Sequence, residues 1–183
     1  EKIAYQLGGV EDVPTDLKDW ISTGSDLLDL AISNRMYGGF PMGRIVSFLG
    51  NEGAGKSLLA AHLIVSVQKR GGIGVLIDTE NAVNEDFYKA VGIDLKKLIY
   101  MPITAIEDAY QAIDDIVTTI RTKHKDKPVV IVLDSIAGAS TDMELEEDFS
   151  RQGYSTGKAI IMSKALRKVT NLIAKQKILL VFT

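Results

Sequence analysis

Five short apolar runs recur along the chain, separated by stretches with helical periodicity. The runs are RIVSFLG at residues 44–50, GVLID at 74–78, LIYM at 98–101, VVIVLD at 129–134 and ILLVF at 178–182. VVIVLD is almost purely Val, Ile and Leu, and a strand that is apolar on both faces is typical of a parallel sheet covered by helices. The pattern therefore predicts a sheet of buried, mainly parallel strands.

The segments between these runs place apolar residues at helical spacing. Leu59, Leu63 and Val67 share one face of a helix predicted over residues 57–69, which a glycine pair ends. Further helices are predicted at residues 85–91, 106–120 and 162–173. Strands and helices that alternate at this spacing predict βαβ units, and hence an α/β fold with a mostly parallel sheet and helices on both faces.

This α/β core is predicted over residues 21–183, with residues 1–20 as an N-terminal lead-in segment. The chain stops at KILLVFT, at the carboxyl end of a buried strand, which is where α/β folds place functional loops. We therefore expect the core to be truncated at its C-terminal end.

Composition restricts the classes of function. The 183 residues are 46% hydrophobic and 25% charged, as in an ordinary globular protein, with no apolar run of membrane-spanning length and no signal peptide. Without such a run, no membrane partner is expected. The absence of cysteine excludes disulfides, thiolate metal sites and cysteine catalysis, and fits a cytoplasmic protein. With a net charge of −3, any binding of nucleic acid needs a local basic patch.

The first apolar run leads into GNEGAGKS, which fits the phosphate-loop pattern G-x-x-x-x-G-K-[ST]. Glycines let successive backbone N–H groups point inward at an anion, and the following helix adds its positive N-terminal end. A plain glycine-rich turn is the alternative, and the strand before and helix after disfavour it. The motif predicts that the nucleotide phosphates are bound by Gly50, Asn51, Glu52, Gly53, Ala54, Gly55, Lys56 and Ser57. Lys56 would reach the β- and γ-phosphates, and the Ser57 hydroxyl would bind Mg²⁺.

Acidic residues end two of the other predicted strands. Asp134 ends VVIVLD, a usual position for a second Mg²⁺ anchor, although a lone aspartate there could simply cap the strand. Asp78 and Glu80 end VLIDTE, and in extended geometry residues two apart lie on one side. Either carboxylate could orient a hydrolytic water, and the spacing leaves open which one does.

Several longer segments resemble the RecA family of recombinases. They are ISTGSDLLDLAI at residues 21–32, GGFPMGRIVSFLGNEGAGKS at 38–57, VLIDTENAVNEDFYKAVGID at 75–94, VVIVLDSIAG at 129–138 and MSKALRKVTNLIAKQKILLVF at 162–182. The resemblance runs from about residue 3 to the end, and STGS and ID-x-E are more specific than the phosphate loop itself. Divergence between the segments favours a distant bacterial or bacteriophage member, with a P-loop NTPase core of the RecA type.

The resemblance implies roles for individual residues of the nucleotide site. Glu80 matches the glutamate that activates the attacking water, and Lys56, placed at the β- and γ-phosphates by the phosphate-loop motif, is predicted to act with it in catalysis. Ser57 and Asp134 match the Mg²⁺ shell. Phe87 falls where the family usually has a tyrosine stacked on adenine, and Asn84 where many members have an aspartate facing adenine.

The resemblance also implies contacts with DNA. Arg167 matches a basic residue that contacts the DNA backbone, and residues 146–157 fall where the family has its first DNA-binding loop. DMELEEDFSRQG, at 142–153, is too acidic for all of it to face phosphate. Arg151, Gln152 and Lys158 are therefore the implied contacts there. The family's Asn-Gln pair after the closing strand, its second DNA-binding loop and its N-terminal polymerisation helix have no counterpart in these residues.

The leading functional hypothesis is a DNA-dependent ATPase that uses ATP and Mg²⁺. It would form a helical filament on single-stranded DNA and pair it with double-stranded DNA in homologous recombination and repair. The alternative is another RecA-fold ATPase, namely a helicase, a recombination mediator or a clock-type ATPase. A P-loop kinase for a small substrate would need an arginine-rich lid, which the sequence lacks.

Overall fold

A computed structural model describes residues 17–141 and 154–183, with residues 154–159 described by their backbone alone. The strands are β1 (Trp20–Ile21), β2 (Phe40–Pro41), β3 (Arg44–Ser47), β4 (Ile73–Asp78), β5 (Leu98–Pro102), β6 (Val129–Asp134) and β7 (Leu179–Phe182). The helices are α1 (Asp26–Ser33), α2 (Lys56–Lys69), α3 (Glu85–Val91), α4 (Ile106–Lys123) and α5 (Tyr154–Gln176), with a 3₁₀ turn at Leu95–Lys97.

The predicted α/β fold is confirmed. The larger sheet has five strands in the order β3-β7-β6-β4-β5, and each neighbouring pair is parallel. Because all its strands run the same way, their carboxyl ends meet at one edge. Asp78 pairs in register with Asp134 across β4 and β6, so two acidic residues stand level at that edge.

Helices cover both faces of this sheet, as the apolar strands predict. On one face, side chains of α2 such as Leu63 and Ile64 pack with Val130 and Val132 of β6. The residues that alternate with these in β6, Ile131 and Leu133, belong to the second core with α4 and α5. Each strand thus contributes to two apolar layers, which explains why its sequence is apolar at nearly every position.

A small antiparallel pair, β1 with β2, precedes the main sheet, and α1 lies between these two strands in the chain. The loop between β1 and α1 is held by Asp29, whose fully buried carboxylate accepts hydrogen bonds from the Ser22 hydroxyl and from both the backbone N–H and the hydroxyl of Thr23. Buried carboxylates are stable only when hydrogen-bonded in this way. The second aspartate of ISTGSDLLDL, Asp29, is therefore structural.

Within residues 17–141 and 154–183, no helix combines the length and the apolar character that crossing a bilayer would require.

Candidate nucleotide-binding site

Predicted site residues from three segments meet, together with the residue after β7, at the carboxyl edge of the sheet. The loop after β3 faces residues that follow β4, β6 and β7 across a cavity of about 630 Å³. Its lining includes Lys56, Ser57, Glu80, Asp134 and Thr183. A second cavity of about 170 Å³ adjoins it, and Ser57, Glu80 and Asp134 line both.

The glycine-rich loop curls around the ammonium group of its own lysine. Lys56 Nζ donates to the carbonyl oxygens of Gly50 and Asn51, at 3.0 and 2.9 Å. Gly55 has φ +87°, a left-handed conformation that favours glycine, and α2 begins at the next residue. Among the described side chains none caps the start of α2, so its first N–H groups and its positive dipole end are available to an anion.

Ser57 and Asp134 provide hard oxygen ligands of the kind that Mg²⁺ prefers. The Ser57 hydroxyl and the Asp134 carboxylate line the same two cavities, and the Thr183 hydroxyl donates a hydrogen bond to Asp134. Among the described residues, no group of three or more His, Cys, Asp or Glu side chains forms a metal cage by itself. The pair of one hydroxyl and one carboxylate suits Mg²⁺, which protein sites usually hold through one or two side chains together with substrate phosphates.

The structure gives Asp78 and Glu80 different surroundings. Asp78 is the last residue of β4 and is buried, and its carboxylate accepts hydrogen bonds from the Glu80 N–H (3.0 Å) and the Tyr100 hydroxyl (3.1 Å). The chain therefore turns after Asp78, and Glu80 is exposed, with its Oε1 accepting from the Ser135 hydroxyl at 2.6 Å. Both carboxylates still border the smaller cavity, but only Glu80 borders the larger cavity beside the phosphate loop.

Two tyrosines add protonated phenols near these carboxylates. Burial raises the pKa of Tyr88 to about 12, and the negative charges of Asp134 and Asp78 act in the same direction. Burial, followed by the hydrogen bond to Asp78, also raises the pKa of Tyr100. Both phenols therefore stay neutral at physiological pH, and Tyr100 serves Asp78 as a hydrogen-bond donor.

The residues expected near adenine lie at the start of α3. Asn84 caps this helix, since its side-chain oxygen accepts from the Phe87 N–H at 3.1 Å. The ring of Phe87 is 37% exposed and meets the ring of Tyr88 edge to face, with centroids 5.2 Å apart. Asn84 and Phe87 line the smaller cavity together with Ser57. This cavity therefore connects the predicted adenine site to the predicted phosphate site.

The predicted DNA contacts are only partly within the described residues. Arg151 and Gln152 lie outside them, and Lys158 lies in α5 with its side chain outside them. Arg167 is exposed on α5, and its Nε donates to the Ser163 carbonyl of the same helix at 3.2 Å. These four assignments remain predictions.

Some residues that border the site were not selected from the sequence. They include Tyr88, Ser135, Met162 and Thr183. Ser135 could have been found because it directly follows Asp134. The others carry no local signal, since Tyr88 and Met162 belong to ordinary helical stripes and Thr183 reaches the site only through the pairing of β7 with β6.

Comparison with known proteins places this arrangement in a family. Residues 5–183 match the family model described as the RecA N-terminal domain. The protein named Protein RecA from Mesoplasma florum is 36% identical over 180 residues, covering 98% of this chain and 50% of its own length. Protein RecA from Chloroherpeton thalassium is 38% identical over 164 residues, which is 88% of this chain and 43% of its own.

A third relative, Protein RecA from Mesomycoplasma hyopneumoniae, is 37% identical over 176 residues, or 96% of this chain and 48% of its own length. The chain therefore spans about half the length of the curated relatives that it matches.

Proposed function

Because this chain belongs to the RecA family, we propose that it is the nucleotide-binding core of an ATP-dependent recombinase. It would bind single-stranded DNA as a helical filament, pair it with double-stranded DNA and exchange strands in recombination and repair. ATP with Mg²⁺ would drive the cycle through DNA-dependent hydrolysis to ADP and phosphate.

One observation carries the nucleotide part of this proposal. Lys56, Ser57, Glu80 and Asp134 come from three separate segments of the chain, yet all line one cavity of about 630 Å³. A cation, a hydroxyl and two carboxylates around one anion-binding loop are the groups that phosphoryl transfer to water requires. If the glycine-rich loop were only a structural turn, these four side chains would not be expected to line the same cavity.

Each side chain can be given a role in hydrolysis. Lys56 would exchange its two carbonyl partners for the β- and γ-phosphates and offset their charge. Ser57 and Asp134 would hold Mg²⁺, which offsets phosphate charge when it is bound. Glu80 would accept a proton from water as the water oxygen bonds to the γ-phosphorus and the bond to ADP breaks.

Two residues at the start of α3 would select the base. The half-exposed ring of Phe87 would stack on adenine, and the amide of Asn84 would face the adenine edge while its oxygen continues to cap the helix. Asn84 and Phe87 border the same small cavity as Ser57. This supports a single nucleotide that contacts both the start of α3 and the phosphate loop.

The DNA part of the proposal rests on the family and on named positions. The three relatives carry the name Protein RecA, and this chain covers about half of each. Arg151, Gln152, Lys158 and Arg167 are the residues we propose as contacts. Since the net charge is −3, the two arginines and the lysine would have to act locally, and additional parts of a longer protein would supply the rest of the DNA surface.

The test uses a full-length protein containing this sequence. ATP hydrolysis is measured with and without single-stranded DNA, strand exchange is measured with homologous duplex DNA, and DNA complexes are imaged by electron microscopy. DNA-stimulated hydrolysis, strand exchange and filaments that need ATP would support the recombinase. Hydrolysis coupled to duplex unwinding, without strand exchange, would instead support a helicase of the same fold.

A further inference from the structure

Ser135 connects the proposed general base to the backbone that follows β6. Its hydroxyl donates to Glu80 Oε1 at 2.6 Å and accepts from the Gly138 N–H at 3.0 Å. A serine hydroxyl has a single proton, so the Gly138 N–H occupies an acceptor site and the proton is directed at Glu80. The direction of this hydrogen bond is therefore fixed by the protein.

The backbone of Ser135 is fixed as well. The Thr79 hydroxyl donates to the Ser135 carbonyl oxygen at 2.6 Å and accepts from the Ser135 N–H at 3.0 Å. Thr79 is 2% exposed and Ser135 is 8% exposed, so these bonds are shielded from water. Thr79 directly precedes Glu80, so the link ties the turn after β4 to the turn after β6.

Gly138 closes the other side of the same carboxyl group. A Cβ added at Gly138 would lie 2.5 Å from Glu80 Cγ, 2.7 Å from Oε1 and 2.9 Å from Cδ. Such distances are well inside van der Waals contact, so any side chain there would have to displace Glu80. Glycine is thus required at this position by the location of Glu80 rather than by its own backbone angles.

We propose that Ser135 and Gly138 are positioning residues, which hold the Glu80 carboxylate in the orientation that hydrolysis needs. This inference rests on the proposed function, in which Glu80 accepts the proton of the attacking water. A carboxylate held through Oε1 can accept that proton on Oε2, and its angle toward the phosphate loop is set before ATP binds. Prior orientation of this kind lowers the barrier of the chemical step without adding affinity for the substrate.

The experiment measures single-turnover ATP hydrolysis and affinity for a fluorescent ATP analogue in the full-length protein. Ser135→Ala should lower the hydrolysis rate by about tenfold, the effect of one lost hydrogen bond. Gly138→Ala should lower it by about a hundredfold, because the new methyl group moves the carboxylate. Both variants should keep their nucleotide affinity, and Ser135→Thr, which retains the hydroxyl, should recover most of the rate.

Ser140→Ala is the matched control. Ser140 lies in the same segment and hydrogen-bonds to Thr104 and Ile106 through its own backbone, so its hydroxyl should not matter to the rate. A rate for Ser135→Ala and Gly138→Ala within twofold of the unchanged protein would overturn the inference.

A double-mutant cycle separates positioning from a general structural effect. In a Glu80→Gln background, Ser135→Ala and Gly138→Ala should cause little further loss, because the group that they position no longer accepts a proton. An equal fold-loss in both backgrounds would overturn the inference. A protein that hydrolyses ATP with this coupling, but neither responds to DNA nor exchanges strands, would contradict the proposed recombinase and leave the roles of Ser135 and Gly138 supported.

Discussion

The ammonium group of Lys56 is bonded across its own loop to the carbonyl oxygen of Gly50, at 3.0 Å. A second bond, to Asn51 O at 2.9 Å, holds the same group. These carbonyl oxygens hold the cation in the wall of the cavity, where phosphate can replace them as its partner. The lysine thus lies close to its proposed working position before nucleotide binds.

Replacing Lys56 by alanine should abolish ATP binding or hydrolysis and leave the fold intact. In the free protein, the substitution removes only two hydrogen bonds to neutral carbonyl groups at the surface. Bound phosphates, in contrast, lose the positive charge that faces them. We expect kcat/KM for ATP to fall by at least about a hundredfold. The measurement is ATP hydrolysis beside circular dichroism, with Lys69→Ala at the other end of α2 as the matched control. Near-normal turnover by folded Lys56→Ala would contradict the assignment.

Glu80→Gln should retain nucleotide but hydrolyse it about a hundredfold more slowly or worse, because glutamine keeps the shape and loses the base. The comparison is Asp78→Asn. Asp78 is buried and bonded to Tyr100 and to the backbone of Glu80, so its replacement should lower thermal stability and affect the rate less. If Asp78→Asn stalls turnover at unchanged affinity while Glu80→Gln does not, the two roles are reversed.

Tyr110→Phe should alter stability at high pH. Burial raises the pKa of Tyr110 from its ordinary value of 10.0 to about 12. The unfolded chain therefore loses the phenolic proton first, and the folded state loses stability as pH rises from about 10 through about 12. Tyr88, also raised to about 12, contributes to the same loss. Removing the Tyr110 hydroxyl should make the decline shallower.

At neutral pH the same change should stabilise the protein or leave it unchanged. The Tyr110 hydroxyl is buried and lacks a hydrogen-bond partner among the described residues, so deleting it removes an unmet desolvation cost of about 1 kcal/mol or more. Urea unfolding at pH 7 and at several values above pH 10 measures both effects. Tyr37→Phe, at a tyrosine that is 70% exposed, is the control. Equal pH dependence in both variants would count against the burial argument.

Arg167→Ala should weaken binding to single-stranded DNA about equally for all sequences and reduce the salt slope by about one, as expected for a lost phosphate contact. Fluorescence anisotropy across a salt series in the full-length protein measures this. Lys175→Ala, in the last turn of the same helix, should leave the slope unchanged. An unchanged slope for Arg167→Ala would make Arg167 an ordinary solvated residue.

The larger sheet could be predicted from sequence because each of its five strands is a local apolar run, whereas β1 and β2 were not predicted. In runs such as VVIVLD, the residues that face either helix layer are apolar, and the structure contains both layers. This two-sided pattern is what predicted a parallel sheet. The bounds of β6 and α3 were predicted correctly, and α2 begins one residue earlier than expected. The order of the strands had no such local signal, since it depends on which distant segments pair.

The phosphate loop could be found from its own spacing, but the contacts around Glu80 could not. Sequence alone placed Asp78 and Glu80 on one side, because it assumed that the strand continues past Asp78. The chain instead turns there, with the Glu80 N–H bonded to Asp78, and this turn brings Glu80 to Ser135. Residues so far apart in the chain do not form a short motif with a fixed spacing, so this hydrogen bond could not be predicted from the sequence.

The strand order also has a consequence for synthesis on the ribosome. Among the described strands, β3 pairs with β7 alone, and Arg44 lies beside Leu179. The segment that carries the phosphate loop is therefore made early, yet its neighbour in the sheet emerges only after more than a hundred further residues have been translated. Until then, the nascent chain contains the glycine-rich loop, but β3, the strand before that loop, lacks its neighbour β7. Pairing β3 with β7 closes a long loop of chain, and this entropic cost arises only late in synthesis. Competence to bind ATP should thus appear abruptly, when residues 179–182 leave the exit tunnel, rather than grow with chain length.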